Sequence, residues 1–313
     1  MEVLLQQIIN GLVLGSMYAL IALGYTMVYG IIQLINFAHG EVLMVGALTA
    51  WSVIGMMQAA MPGAPGWVIL ILAMLIACVV AAALNFVIEK VAYRPLRNSP
   101  RLAPLITAIG MSILLQTLAM IIWKPNYKPF PTLLPSAPFN VGGAYITPTQ
   151  IMILSVTAVS LALLMYLVHY TKIGRAMRAT AENPRVAGLM GVKPDVVISA
   201  TFIIGAVLAA IAGVMLAMNY GTVYHTMGFL PGLKAFTAAV FGGIGNLGGA
   251  VLGGLLLGLI EAIGSGYIGT LTGGLLGSHY TDIFAFIVLI IVLIIILTLR
   301  PSGLLGERVA DRA

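Results

Sequence analysis

Apolar runs of membrane length, divided by short polar links, recur along most of this 313-residue chain. They lie near Leu4 to Tyr29, Phe37 to Ala60, Trp67 to Glu89, Leu102 to Trp123, Gln150 to Tyr170, Val196 to Met218 and Ile283 to Leu299. Each holds about the 20 residues that an α-helix needs to cross the hydrocarbon. The region from Leu230 to Gly266 is equally apolar but is interrupted by Gly242, Gly243, Gly245, Gly248 and Gly249. It predicts either two short spans or a re-entrant pair. The fold class that follows is an all-α integral membrane protein, a polytopic bundle of about eight (seven to nine) transmembrane helices with a broken Gly-rich segment. A single transmembrane domain over 1–313 suffices to describe it.

Two links are longer than the rest. Lys124 to Pro148 carries Pro125, Pro129, Pro131, Pro135 and Pro138 but only two lysines. Thr171 to Pro194 is basic, and its second half has the punctuation of a short helix. Asn183 is a favoured N-cap, Pro184 suits the first helical position and Gly191 suits a left-handed C-terminal cap. Val186, Leu189 and Met190 then fall on one face, with Arg185 free to point elsewhere. A helix under two turns long is marginal in water unless that face docks. It is read either as a docking helix or as a linker helix on the protein's own rim.

Charge sets the orientation. Twelve of the fifteen Lys and Arg follow three spans: Lys90, Arg94, Arg97 and Arg101; Lys172, Arg175, Arg178, Arg185 and Lys193; Arg300, Arg308 and Arg312. Loops retained in the cytoplasm carry such an excess, so these ends and the C-terminus are expected there, with the Lys124 to Pro148 loop outside. Met1 to Gln7 lacks a basic region and does not read as a cleaved signal peptide. The net charge of +6 is thus accounted for by topology, which removes any case for nucleic-acid binding. At 61% hydrophobic and 8% charged residues, with mean hydropathy +1.09, a soluble domain is excluded. One cysteine, Cys78, permits neither an internal disulfide nor a thiolate metal site. His39, His169, His225 and His279 are scattered, so no metal or other cofactor is expected.

Inside the spans, small residues recur four apart, as in Gly11 and Gly15, Gly205, Ala209 and Gly213, and Gly254 and Gly258. Such spacing marks seams where helix backbones approach closely in lipid. Around Asn246 the glycines imply backbone that leaves helical geometry, which is tolerated only where it faces protein or a watery cavity. Gly245 and Asn246 are therefore candidates for the translocation path, with a purely structural hairpin as the alternative. The ionisable residues in or beside spans are Glu41, Glu89, Lys234, Glu261 and Asp282. Each needs a partner, an interface or a role. Asn36 could cap the second span and hold Glu41 in its first turn; otherwise Asn36, His39 and Glu41 belong to a gate or substrate path. Lys234 and Glu261 have no evident explanation. No G-x-x-x-x-G-K-[ST] loop, H-E-x-x-H or G-x-S-x-G occurs, so no catalytic residue is nominated.

The segments GLVLGSMYALIALGYTMVYGIIQLINFAHGE (Gly11 to Glu41), GRAMRATAENPRVAGLMGV (Gly174 to Val192), FGGIGNLGGAVLGG (Phe241 to Gly254) and RPSGLLG (Arg300 to Gly306) carry a resemblance. Through them the chain resembles, nearly end to end, the membrane permease subunits of branched-chain amino acid ABC importers, the Liv-type permeases. The resemblance implies a bacterial inner-membrane complex with two cytoplasmic ATPase subunits and a second, related permease chain. A periplasmic or extracellular solute-binding protein would dock outside, with the Lys124 to Pro148 loop as a candidate surface. The link over 171–194 would be the cytoplasmic coupling loop, its ATPase-coupling residues being Gly174, Arg175, Arg178, Asn183, Pro184, Val186, Ala187, Leu189, Met190 and Gly191. Ala187 and Gly191 keep the A-x-x-x-G spacing of the general importer loop, while Arg185 stands where many importers carry Glu and no I-x-L-P follows. The solute expected is a branched-chain amino acid. Urea or short amides, carried within the same family, and an ATP-independent channel or secondary carrier remain as alternatives.

Overall fold

The computed structural model describes residues 2–97, 99–100, 102–135, 137–271 and 303–306, together with 287, 290, 291, 294 and 298. The span expected over Ile283 to Leu299 therefore lies, apart from those five residues, outside the described part, as do Arg101, His279, Asp282, Arg300, Arg308 and Arg312. Ten α-helices are described: α1 (Glu2–Ile32), α2 (His39–Ala60), α3 (Gly66–Ile88), α4 (Leu102–Trp123), α5 (Pro148–Tyr170), α6 (Lys172–Glu182), α7 (Pro184–Leu189), α8 (Pro194–Tyr220), α9 (Phe229–Gly242) and α10 (Leu247–Leu271). Among the described residues seven of these, all but α6, α7 and α9, are long and apolar enough to cross a membrane. The fold is a polytopic all-α membrane fold.

Its centre is α1, α2, α8 and α10, whose spans are half or more buried within the bundle, whereas α3, α4 and α5 form an outer layer with most of their surface free. Val79, Ile106, Ile121 and Leu163 are among the large apolar side chains exposed on that layer. In lipid there is no hydrophobic gain from burying them, so the centre is held by close backbone approach instead. The α1–α10 seam shows how. A Cβ added to Gly258 would lie 2.1 Å from the Gly15 nitrogen, and one added to Gly254 would lie 2.5 Å from the Ala19 nitrogen. The four-residue spacings of the two helices thus face each other. Gly213 of α8 meets the Leu43 carbonyl of α2 in the same way.

The Gly-rich region resolves into the 14-residue α9, about 21 Å at 1.5 Å per residue, followed by the full-length α10. The break falls at Gly243 and Gly245, both with positive φ (107° and 102°), where side chains other than glycine are strained. This turn lies at one end of the bundle. It receives Leu304 and Leu305, whose N–H groups donate to the carbonyls of Phe241 and Gly242.

The opposite end carries the Pro-rich link, ordered by two small antiparallel ribbons. β1 (Lys128–Pro129) pairs with β4 (Thr222–Val223), and β2 (Phe139–Val141) pairs with β3 (Ala144–Ile146). Gln6 of α1 exchanges two hydrogen bonds with the backbone of Tyr145, at 3.0 and 2.8 Å, which ties the loop to the bundle. At the basic end α3 widens into a π-turn over Glu89–Tyr93. Buried Glu89 pairs there with Arg97 and accepts from Ser199 Oγ at 2.7 Å, while Asp195 pairs with Arg94 and, at 2.7 Å, with Arg97. This network joins the end of α3 to the start of α8.

Candidate coupling surface and intramembrane polar site

The basic link is built from two helices. Asn183 Oδ1 accepts from the backbone N–H groups of Arg185 and Val186, at 3.0 and 3.2 Å, and Pro184 occupies the first position of α7. Gly191 closes the motif with φ +84°. The punctuation expected from the sequence is therefore present residue by residue. Ala187 is the buried anchor of α7, whereas Val186, Leu189 and Met190 are 52%, 86% and 81% exposed. An apolar face of that size on a six-residue helix has no covering among the described residues.

The preceding half of the link is not a loop, as a reading of the second half alone suggests, but the amphipathic α6. Thr171 caps it by accepting from the Gly174 N–H at 3.1 Å, and Gly174, Met177 and Thr180 are buried at three-residue spacing. That spacing was the available signal. Gly174 faces inward, where an added Cβ would meet the Val168 carbonyl at 2.1 Å, and the exposed Arg178 reaches back to donate to that same carbonyl. These two fasten the link to the end of α5, while Arg175, exposed like Arg178, makes no such contact among the described residues. α6 packs on α1, α5 and α8, and α7 rests on α6 and also touches α8.

A second site surrounds the start of α2. The expected Asn36 cap is absent: Ala38 is the N-cap residue, without a side-chain bond, and Asn36 Oδ1 instead accepts from the Tyr93 hydroxyl at 2.8 Å. The α1–α2 link folds back into the bundle through Gln33, at φ +52°, so α2 begins deep inside. His39 is fully buried against α1. A Cβ on Gly24 would collide with its ring, and Tyr25 meets it edge-on with centroids 4.7 Å apart. Glu41 is 1% exposed; its Oε1 accepts from Ser112 Oγ at 3.0 Å and Gln116 Nε2 at 2.7 Å. Ser112 and Gln116 are missed by the sequence reading, although two polar residues four apart in the apolar α4 mark one face. Buried atoms left without a hydrogen-bond partner gather here: Thr26 Oγ1, Asn36 Nδ2, both His39 ring nitrogens, Glu41 Oε2 and Asn85 Oδ1. Such atoms are few in native proteins and each asks for an explanation.

Lys234 and Glu261 explain one another. Lys234 Nζ lies 2.8 Å from Glu261 Oε1, Tyr18 donates to Glu261 Oε2 at 2.9 Å, and both charged side chains are buried between α9, α10 and α1. Gly245 and Asn246 do not join the polar site. Asn246 caps α10 by accepting from the Gly249 N–H at 3.1 Å and donates to the Leu305 carbonyl at 2.8 Å. The structural alternative thus has direct hydrogen-bond support at Asn246 and a positive φ at Gly245. Nearer the ribbon end, Gln7, Asn10, Gln150, Asn219 and Ser265 line an open cleft of about 260 Å³.

With this geometry in place, comparison with known proteins is informative. A family model described as branched-chain amino acid transport system / permease component matches residues 7–293. The high-affinity branched-chain amino acid transport system permease protein BraD of Pseudomonas aeruginosa is 47% identical over 313 residues, covering 98% of this chain and 97% of its own. The corresponding permease protein LivH of Escherichia coli K12 is 45% identical with the same coverage. A solved structure, PsaBC from Streptococcus pneumoniae in complex with Fab, is 15% identical over 96% of this chain and 91% of its own, with a TM-score of 0.43, too loose a likeness to build on.

Proposed function

Since the chain belongs to the branched-chain amino acid transport system permease family, we propose that it forms the membrane path of an ABC importer for leucine, isoleucine and valine. The observation that carries the mechanism is the exposed apolar face of α7, mounted on α6 and through it on α1, α5 and α8. A separate cytoplasmic ATPase receives that face. Nucleotide binding and hydrolysis there move α7 and α6 together, and the central helices exchange between outward-open and inward-open packings. Val186, Leu189 and Met190 make the contact; Asn183, Pro184, Ala187 and Gly191 hold its shape; Gly174 and Arg178 transmit it; Arg175 lies exposed beside it. The chain hydrolyses no ATP itself, which accords with its lack of a phosphate-binding loop.

The remaining partners follow. A second, related permease covers part of the free surface of α3, α4 and α5, and lipid the rest. A solute-binding protein docks on the ribboned loop over 124–148, outside the bacterial inner membrane, while the basic ends and the C-terminus face the cytoplasm. His39 and Asn36 belong to the path at the start of α2.

The test is selectivity. In vesicles holding the complete complex, uptake of labelled leucine is expected to be displaced by isoleucine and valine and left unchanged by a hundredfold excess, to order of magnitude, of urea or acetamide. Displacement by urea at concentrations like those of valine would assign the chain to the amide-carrying branch instead.

A further inference from the structure

Neither helix packing nor the coupling surface accounts for the state of Glu41. Its partners Ser112 and Gln116 lie in the middle of the 22-residue α4. At 1.5 Å per residue, Ser112 is about 15 Å from either end of that helix. Holding a charge at such depth is costly, so an acidic side chain there without a basic partner marks a functional position. Glu89 and Glu261, the other buried carboxylates described, each hold a basic side chain. Glu41 holds none. Neutral donors occupy Oε1, and Oε2 is turned into the bundle without a partner.

The unpartnered oxygen has a complement. Five residues before it, Asn36 keeps its Oδ1 on Tyr93 and leaves its Nδ2, a donor, unpartnered. A carboxyl oxygen and an amide donor, on residues more than nine-tenths buried, thus lie on either side of the fully buried His39 at the start of α2. An acceptor for an ammonium group and a donor for a carboxylate are the two groups that recognition of a small zwitterion calls for. Resting on the amino-acid reading above, we infer that Glu41 Oε2 receives the α-ammonium group of the solute and that Asn36 Nδ2 donates to its α-carboxylate. Ser112 and Gln116 are positioning residues: by fixing Oε1 they aim Oε2. Solute enters when α4 moves off α2, and the peripheral place of α4 allows this without opening the central seam. Proton or sodium carriage by the same carboxylate is the competing use of an unpaired charge.

The probe is leucine, and the readout is leucine transported per ATP hydrolysed by the complete complex in vesicles. Glu41→Gln keeps the size of the side chain and an acceptor for Ser112 and Gln116 but removes the charge. One charge-assisted hydrogen bond lost from the solute is expected to lower the ratio about tenfold to hundredfold, with Glu41→Asp between this variant and the unaltered chain. A merely structural Glu41 would lower the yield of complex and leave the ratio unchanged, and that result overturns the inference. So does entry of one proton or sodium ion with each leucine that disappears in Glu41→Gln, because the carboxylate would then serve the ion. Failure of the unaltered complex to accumulate leucine at all would remove the amino-acid reading, and this inference with it.

Discussion

Replacing Val186 and Leu189 together by Asp is expected to abolish solute-stimulated ATP hydrolysis by the assembled complex while leaving the permease folded. Both side chains are more than half exposed, so their loss removes little from the bundle. Val186 lies in the first turn of α7, where a carboxylate is welcome, and Leu189 ends the helix, where it costs a few tenths of a kcal/mol. At the ATPase surface the sign reverses. Burying a Val or Leu side chain contributes about 1.5–3 kcal/mol, and a carboxylate in the same place arrives without a partner. The two changes therefore remove several kcal/mol from docking, where about 1.4 kcal/mol is a factor of ten. The check is ATPase activity with and without solute-loaded binding protein, beside the thermal unfolding of the purified subunit. Normal stimulation would show that α7 is only a linker on the protein's own rim.

The second large effect concerns stability. Lys234→Met strands Glu261 between α10 and α1, and breaking a buried ion pair from one side costs about 3–5 kcal/mol. The Tyr18 hydroxyl still donates to Glu261, and protonation of the carboxylate limits the loss, but the subunit should unfold at clearly lower temperature and accumulate poorly in membranes. Adding Glu261→Leu to Lys234→Met removes the stranded charge and should restore most of what was lost, because apolar replacements of a complete pair are close to neutral. Unfolding midpoints of the two single variants and the double variant in detergent decide the matter. If the double variant is the least stable of the three, the pair stabilises the bundle in its own right.

What could be read from the chain alone divides by range of interaction. α4 begins and ends on the residues where the apolar run does, and α7 has the cap, the proline and the left-handed glycine that its local spelling specifies. Those signals act within a few residues. The seams too were visible as spacings, though not that Gly15 would face Gly258 across 243 residues of chain. The misses are tertiary. Asn36 looked like a cap because it precedes an apolar run, yet the fold-back at Gln33 and the space left by Gly24 for His39 move the start of α2 to Ala38 and turn Asn36 toward Tyr93. Lys234 and Glu261 had no explanation because their partnership depends on the turn at Gly243 and Gly245 that lays α9 against α10. Asn246 left two readings open, a solute path or a structural hairpin, and its side chain serves the helix end and Leu305, contacts that its glycine surroundings do not specify. The free oxygen of Glu41 depends on which donors α4 brings, and periodicity in the first hundred residues contains nothing about them.

The account as a whole rests on a separation of duties: the bundle shapes the route, and an engine gripping α7 from the basic side moves it. The most direct test compares two vesicle preparations under one sodium or proton gradient, one holding this chain alone and one holding the full complex with ATP at the ATPase face and solute-binding protein at the other. Leucine should concentrate only in the second, and only while ATP is present. Accumulation of leucine above its external concentration by the chain alone would contradict the account.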